Sequence, residues 1–335
     1  MRFLHREHSM AGGKLNATHD HAKAVTVSRK FARRFLLLVT LGIAQTLMTG
    51  CADVQQGRRD IAGTDNCPHG SAMGVDRPAK IGVGAWEEGA PGWAADRVGA
   101  LGVAWYYTWA PQPLTSDGHK AQSEFVPMIW DAAQLRDNPK ALTDISVSEA
   151  TALLGFNEPD RAGQAKMTVQ DAATHWPRLV ATRKRLGSPA PSQGAALSPG
   201  GWLPRFMDAV SASGLRVDFI AIHYYAPTHD VVAFRGFLER VHRAYNRPIW
   251  VTEWALVDPD TWKDNRPRYS PDDTACFFRA GVAMLDDLNF VERHAWFAAF
   301  DGGDGWHLNT HAIAADGTLT PVGRAFVDAT SAIPD

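Results

Sequence analysis

The chain has 335 residues, with 34 Lys and Arg against 36 Asp and Glu, a formal net charge of −2. Its 45% apolar and 21% charged residues are the balance of a globular protein, which excludes a disordered chain, a collagen-like repeat and a polytopic membrane protein. The near-neutral charge gives no electrostatic ground for nucleic-acid binding, and three cysteines cannot form a dense disulfide framework, so the fold has to rest on apolar burial.

Residues 1–50 carry eight Lys or Arg and two Asp or Glu. Arg29, Lys30, Arg33 and Arg34 lead into an apolar run of 13 residues, Phe35 to Leu47. That run is shorter than the roughly 20 residues of a spanning helix, and it has no polar stripe of the kind a surface helix shows. A basic segment, a short apolar run and then small residues is the order of a secretory signal. The run closes on Leu47-Met48-Thr49-Gly50-Cys51, and small residues just before a cysteine resemble the lipobox of bacterial lipoproteins, with Met48 where that pattern has leucine. The resemblance implies cleavage before Cys51, a lipid on Cys51, and a place in the cell envelope at the outer membrane, since Ala52 follows and not Asp. The alternative is plain secretion. Residues 51–78, rich in Gly, Asp, Arg and Gln, read as a flexible tether. Cys67 and Cys276 are left over. They pair in an oxidising compartment or stay free thiols, and the setting of Cys276 beside Phe277 and Phe278 favours free thiols.

From Lys80 onward short apolar runs alternate with longer amphipathic or loop segments. Eight strands are predicted: Lys80–Trp86, Ala104–Trp109, Phe125–Trp130, Ala152–Glu158, Arg185–Pro191, Asp218–Tyr225, Pro248–Trp254 and His294–Phe300. Thr168 to Arg185 is the clearest helix, with Thr168 placed as N-cap and Val169, Ala172, Ala173, Trp176, Leu179 and Val180 at helical spacing. Val231–Tyr245 and Asp273–Leu288 are the next best. This alternation predicts an α/β fold, a single (β/α)8 TIM barrel over residues 79–333. A doubly wound sheet is the competitor, but Ile81-Gly82-Val83-Gly84 does not extend to the Gly-rich turn that such a fold carries.

In a barrel, chemistry sits where strands run into loops. Leu153-Leu154-Gly155-Phe156-Asn157-Glu158-Pro159 drives the fourth strand into a glutamate, and Ile249-Trp250-Val251-Thr252-Glu253-Trp254 does the same on the seventh. A carboxylate closing an apolar strand is costly to bury unless it is paired or used. Glu158 and Glu253 would face each other across the mouth, the minimal apparatus for cutting a glycosidic bond. Strict alternation puts Val251 and Glu253 on one face of their strand and Trp254 on the other.

Asn157-Glu158-Pro159 and Thr252-Glu253-Trp254 resemble the two catalytic motifs of the large clan of (β/α)8 retaining glycosidases, and His223-Tyr224-Tyr225 fits that clan's His-x-Tyr. More narrowly, Lys80 to Asp328 resembles glycoside hydrolase family 128, the Asl1-like catalytic domain. The closest pieces are Trp105-Tyr106-Tyr107-Thr108-Trp109, Leu154 to Asp160, Trp296-Phe297 and Gly317 to Ala325. The resemblance implies a retaining endo-β-1,3-glucanase acting on a polysaccharide, with Glu158 as acid/base and Glu253 as nucleophile; a monomer is the expected state. It also implies that Asn157 holds the sugar 2-hydroxyl, that Tyr225 hydrogen-bonds the nucleophile and that His223 orients through hydrogen bonds. A barrel acting on a β-1,4-glucan or mannan, or an envelope lipoprotein that binds glycan without turnover, are the rival readings.

All twelve tryptophans follow Cys51. Flat indoles cover the C–H face of sugars, and Trp109, Trp130 and Trp296 are the expected sugar contacts. Trp306 lies in the loop after the last strand, and Trp105, Trp176 and Trp250 suit the core. No metal is expected from the thirteen histidines, because no His-Glu-x-x-His appears and no His-x-His ends a strand. No cofactor is expected either, since nothing resembles a phosphate-binding loop, and the lack of a Gly-x-Ser-x-Gly elbow speaks against a serine hydrolase.

Overall fold

The computed structural model describes residues 80–116, 123–264, 266–302 and 308–331, apart from the side chains of Trp262 and Lys263. The leader, Cys51, the tether with Cys67, and Trp306 lie outside the described residues. Eight strands follow in chain order: β1 (Ile81–Gly84), β2 (Trp105–Tyr107), β3 (Glu124–Phe125), β4 (Ala152–Leu153), β5 (Arg185–Leu186), β6 (Ile220–Ala226), β7 (Ile249–Leu256) and β8 (Val291–Trp296). Around them lie α1 (Trp93–Ala100), α2 (Ala132–Asp137), α3 (Ala141–Val147), α4 (Val169–Val180), α5 (Trp202–Ala212), α6 (Val231–Tyr245), α7 (Thr261–Asp264), α8 (Pro271–Asp286) and α9 (Pro321–Ser331).

Six strands pair in the order β3-β2-β1-β8-β7-β6, all parallel, and β4 pairs with β5. Parallel bridges Met128↔Leu154 and Gly187↔Phe219 join this pair to β3 and β6, which closes the ring of eight. The (β/α)8 barrel expected from the alternation is therefore the fold. Its β3 to β5 side has only two-residue ladders where six or seven residues are predicted. Pro127, Pro189 and Pro191 fall in two of these three runs and carry no N–H for a ladder, so pairing continues through isolated bridges such as Asn157↔Ala190.

Helix ends follow local chemistry. The Thr168 hydroxyl accepts the Asp171 N–H at 3.0 Å and starts α4, which stops at Val180 instead of Arg185. There Thr182 Oγ1 donates to the Leu179 carbonyl at 2.7 Å, and Arg183 takes a left-handed φ of 62° that turns the chain into β5. A Ser270–Asp273 capping box with Pro271 in the first turn starts α8 two residues before the predicted Asp273. Along α8, Cys276 is disulfide-bonded, and both other cysteines of the chain lie outside the described residues. The free-thiol reading of Cys276 is thereby corrected. An apolar setting does not distinguish a packed thiol from a packed disulfide.

The barrel interior is aromatic. Trp105, Tyr107 and Trp109 point inward from β2 at strand spacing, with adjacent ring centroids 6.1 and 4.6 Å apart. Gly82 and Gly84 on β1 make room for them: a Cβ on Gly82 would lie 2.4 Å from Trp105 Cε2, and one on Gly84 would lie 2.4 Å from Trp109 Cη2. At the N-terminal end Trp105, Phe219 and Trp250 form a floor. Arg293 covers it, 4.6 Å from the Trp250 ring and paired with Glu124 at 2.6 Å. Trp176 packs edge-on against Phe206 between α4 and α5, so the three tryptophans expected in the core are there.

Candidate active site

Glu253 reaches the interior because β7 is irregular. The pairs Ile222↔Val251 and His223↔Glu253 are consecutive on β6 but skip Thr252 on β7, so Thr252 is the extra residue of a bulge. Its carbonyl accepts the Tyr107 hydroxyl at 2.8 Å. Val251 and Trp254 pair with His294 and Trp296 of β8 on the helix-facing side, so the bulge separates Val251 from Glu253, contrary to strict alternation. Trp254 lies where alternation puts it, stacked on Phe278 of α8 at 5.7 Å and an interplanar angle of 7°.

Glu158 is set by a backbone turn at the end of β4. Its N–H donates to the Ala190 carbonyl at 2.7 Å, and its φ is 38°, in the left-handed region. The two glutamates meet at one atom. His223 Nδ1 lies 3.2 Å from Glu158 Oε1 and 3.3 Å from Glu253 Oε2. Those oxygens are therefore at most about 6.5 Å apart; the two-carboxylate glycosidases place their acids about 5–5.5 Å apart for retention and about 6.5–9.5 Å for inversion.

The two acids have different surroundings. Glu253 takes three further donors: Tyr225 Oη at 2.5 Å and, on its other oxygen, Trp109 Nε1 at 2.8 Å and Tyr107 Oη at 3.4 Å. Glu158 has Arg161 Nη1 at 3.5 Å. Both are buried, Glu253 at 1% exposure and Glu158 at 4%, while Tyr225 and Arg161 are partly exposed. Burial opposes charge on Glu158, but the hydrogen bond and charge of His223, then Arg161, hold it below the ordinary carboxylate range. At Glu253, burial and the charge of Glu158 push the group up against His223, Tyr225 and Trp109. Burial works against charge on His223 too, yet Glu253 and Glu158 together raise it. The three groups therefore titrate together, each carboxylate favouring charge on the imidazole between them.

Asn157 is fully buried, its Nδ2 donating to Gln164 Oε1 at 3.2 Å. Its Oδ1 is buried without a protein partner among the described residues. Trp130 ends the β3 segment, where its carbonyl accepts the Asn157 N–H at 3.0 Å. Trp109 was expected to meet sugar; in the fold its N–H is committed to Glu253, and the ring is 8% exposed. Trp296 is corrected outright. It is 0% exposed, edge-on to Trp254 at 4.7 Å and Phe278 at 5.3 Å, with its N–H on the Thr310 carbonyl at 2.6 Å. It packs in the layer between barrel and helices, where no sugar reaches. Tyr107 and Arg161 received no role from the sequence. Spacing of two along Trp105-Tyr107-Trp109 is the signal that could have found Tyr107. Arg161 had none, because its approach to Glu158 depends on the turn.

Comparisons with known proteins fit this geometry. Residues 85–326 match the family described as glycosyl hydrolase catalytic core. A subgroup I family 128 endo-β-1,3-glucanase from Amycolatopsis mediterranei, crystallised as a glutamate-to-alanine variant with laminaripentaose, is 38% identical. The match covers 74% of this chain and 98% of that one, with a TM-score of 0.65. This chain belongs to glycoside hydrolase family 128. Another family 128 structure, the subgroup II endo-β-1,3-glucanase from Sorangium cellulosum, is 25% identical over 74% of this chain and 97% of that one, with a TM-score of 0.59. The subgroup VII oligosaccharide-binding protein of Trichoderma gamsii shares the family 128 fold at 23% identity and a TM-score of 0.59, covering 78% of this chain and 98% of its own. No curated protein matches significantly. The protein is a glycoside hydrolase built on the barrel that the alternating strands and helices predicted.

Proposed function

We propose that this enzyme cleaves β-1,3-glucan within the chain, with retention, by double displacement. The observation that carries the reading is the single His223 nitrogen in reach of both carboxylates, which brings the two facing oxygens within about 6.5 Å of each other and so supports the shorter, retaining spacing. Glu253 attacks the anomeric carbon while Glu158 protonates the departing oxygen; Glu158 then takes a proton from the water that releases the glycosyl-enzyme. Tyr225, Trp109 and Tyr107 orient the Glu253 carboxylate and stabilise its charge. Attack needs Glu253 ionised and Glu158 protonated, so bound substrate has to offset the directions in which burial and His223 hold the two acids. His223 Nδ1, within hydrogen-bond reach of both, orients the two carboxylates and responds to the charge on each. The unpartnered Oδ1 of Asn157 is an acceptor for the sugar 2-hydroxyl.

The substrate class rests on the family 128 relatives crystallised with laminari-oligosaccharides. Incubation with laminarin, with products followed by proton NMR, tests the reading. β-Anomers appearing first among oligosaccharides of several lengths are expected. α-Anomers first, or activity on β-1,4-glucan or mannan with none on laminarin, would overturn it.

We also propose export, with the mature chain anchored by a lipid on Cys51. The basic and apolar leader supports this, and so does the disulfide at Cys276, which belongs to an oxidising compartment. A Cys51→Ala chain should move from the membrane fraction to the soluble envelope fraction. Its staying with the membrane refutes the anchor.

A further inference from the structure

The loop that carries Glu158 also carries a carboxylate that no step above uses. Asp160 reaches across to the segment after β5. Its Oδ1 accepts the Ser192 N–H at 2.8 Å, and its Oδ2 accepts the Ser192 hydroxyl. One side chain thereby ties the β4 loop to the β5 loop at two points.

Between them lies the turn Glu158 to Arg161, closed by the Arg161 N–H on the Glu158 carbonyl at 3.0 Å. Its first residue is a glutamate with φ of 38°. Crowding between Cβ and the following carbonyl disfavours that conformation in L-residues, so it persists only where the surroundings over-determine it. The Glu158 N–H on Ala190 fixes where the turn begins. Asp160 fixes where it goes next. Arg161, on the same turn, sets its guanidinium 3.5 Å from Glu158 Oε2. The position of the Glu158 carboxyl and the charge facing it both follow from this one turn.

We propose that Asp160 is a positioning residue for the acid/base: its two-point grip on Ser192 locks the turn that aims the Glu158 carboxyl at the departing oxygen. The inference rests on Glu158 being the general acid of the reaction proposed above. An acidic residue that only braced a loop would affect folding, or every substrate alike. One that aims a general acid affects leaving groups that need a proton and spares those that do not.

The test compares kcat/KM on a phenyl and a dinitrophenyl β-laminaribioside for wild type, Glu158→Ala, Asp160→Ala, Asp160→Asn and Ser192→Ala. This ratio reports the glycosylation step alone, where the acid acts. Glu158→Ala is the reference, losing heavily on the phenyl glycoside and little on the dinitrophenyl one. Asp160→Ala is expected to lose about 100-fold on the phenyl glycoside, the effect of a misplacement near 1 Å, and under about threefold on the dinitrophenyl one. Asp160→Asn should recover most of that loss, since its carbonyl can accept the Ser192 N–H and its amide can donate to the hydroxyl. Ser192→Ala keeps the N–H contact and should fall between; if Asp160→Ala fails to fold, Ser192→Ala carries the same comparison. Equal losses on both glycosides, or none on either, in variants beside a selective Glu158→Ala overturn the role of Asp160. A Glu158→Ala that loses equally on both would instead remove the acid/base assignment itself.

Discussion

Removing one oxygen from Tyr225 tests how Glu253 is held ready. The Tyr225 hydroxyl donates to Glu253 Oε2 at 2.5 Å in a partly buried setting, and a hydrogen bond to a charged group contributes about 1.5–3 kcal/mol. The bond favours the ionised carboxylate over the acid. Tyr225→Phe should therefore raise the Glu253 pKa by about one to two units, at 1.36 kcal/mol per unit. The acid limb of kcat/KM, which in the proposed mechanism reports Glu253 ionisation, should move up by that amount. The shift should be no larger, because Trp109 at 2.8 Å, Tyr107 at 3.4 Å and His223 at 3.3 Å remain. The ring keeps its edge-on contact with Phe297 at 5.7 Å, so thermal stability should change little. Tyr107→Phe is the internal comparison. Its hydroxyl donates mainly to the Thr252 carbonyl at 2.8 Å, so its loss should destabilise the bulge by about 1 kcal/mol and move the acid limb by less than about half a unit. Reducing-sugar release from laminarin across acid and neutral pH, with parallel melts, measures all of this. An unmoved acid limb in Tyr225→Phe, or an equal shift in both variants, refutes the reasoning.

Glu253→Gln should abolish turnover yet stabilise the fold on the alkaline side. A carboxyl raised above its ordinary 4.5 contributes stability that is fully present below that value and lost as pH rises through its raised folded value, whereas the amide never ionises. The Tm difference, variant minus wild type, should grow from pH 4.5 upward by about 2–4 °C for each kcal/mol relieved; a difference that shrinks toward alkaline pH contradicts this. Two glycine substitutions separate packing from chemistry. Gly281→Ala sets a Cβ 2.3 Å from Trp254 Cζ3 and should cost about 1–3 kcal/mol of stability, with normal turnover per folded molecule. Gly84→Ala presses on the indole that bonds Glu253, so its turnover should fall further than its stability explains. Equal turnover in folded samples of the two would deny Trp109 its role. Reduction of the disulfide at Cys276 should lower stability to denaturant by about 2–4 kcal/mol, and Cys276→Ala should start at the lower value and ignore reductant. A wild-type chain indifferent to reductant tells against the bond.

By itself the sequence determined the barrel, because eight apolar runs separated by helical stretches leave few ways to bury their faces, and parallel strands need those crossovers. It also determined both acids, since a glutamate at the end of an apolar strand stands out against its surroundings, and it marked His223 and Tyr225 by their spacing of two along β6. What only the tertiary structure decided was direction. A one-residue bulge at Thr252 turns Glu253 inward and leaves Val251 with the helices, and neither the bulge nor its Tyr107 partner is visible in an apolar pattern. Trp109 and Trp296 look alike in sequence, each an indole near the end of an apolar strand. One donates to the Glu253 carboxylate and the other is sealed under α8, because the bonding partner and the covering helix come from 144 residues away and from α8, which precedes β8 in the chain. Strand periodicity is a local property of the chain, whereas the group that meets a side chain is chosen by ring closure, which brings together residues that no local window contains.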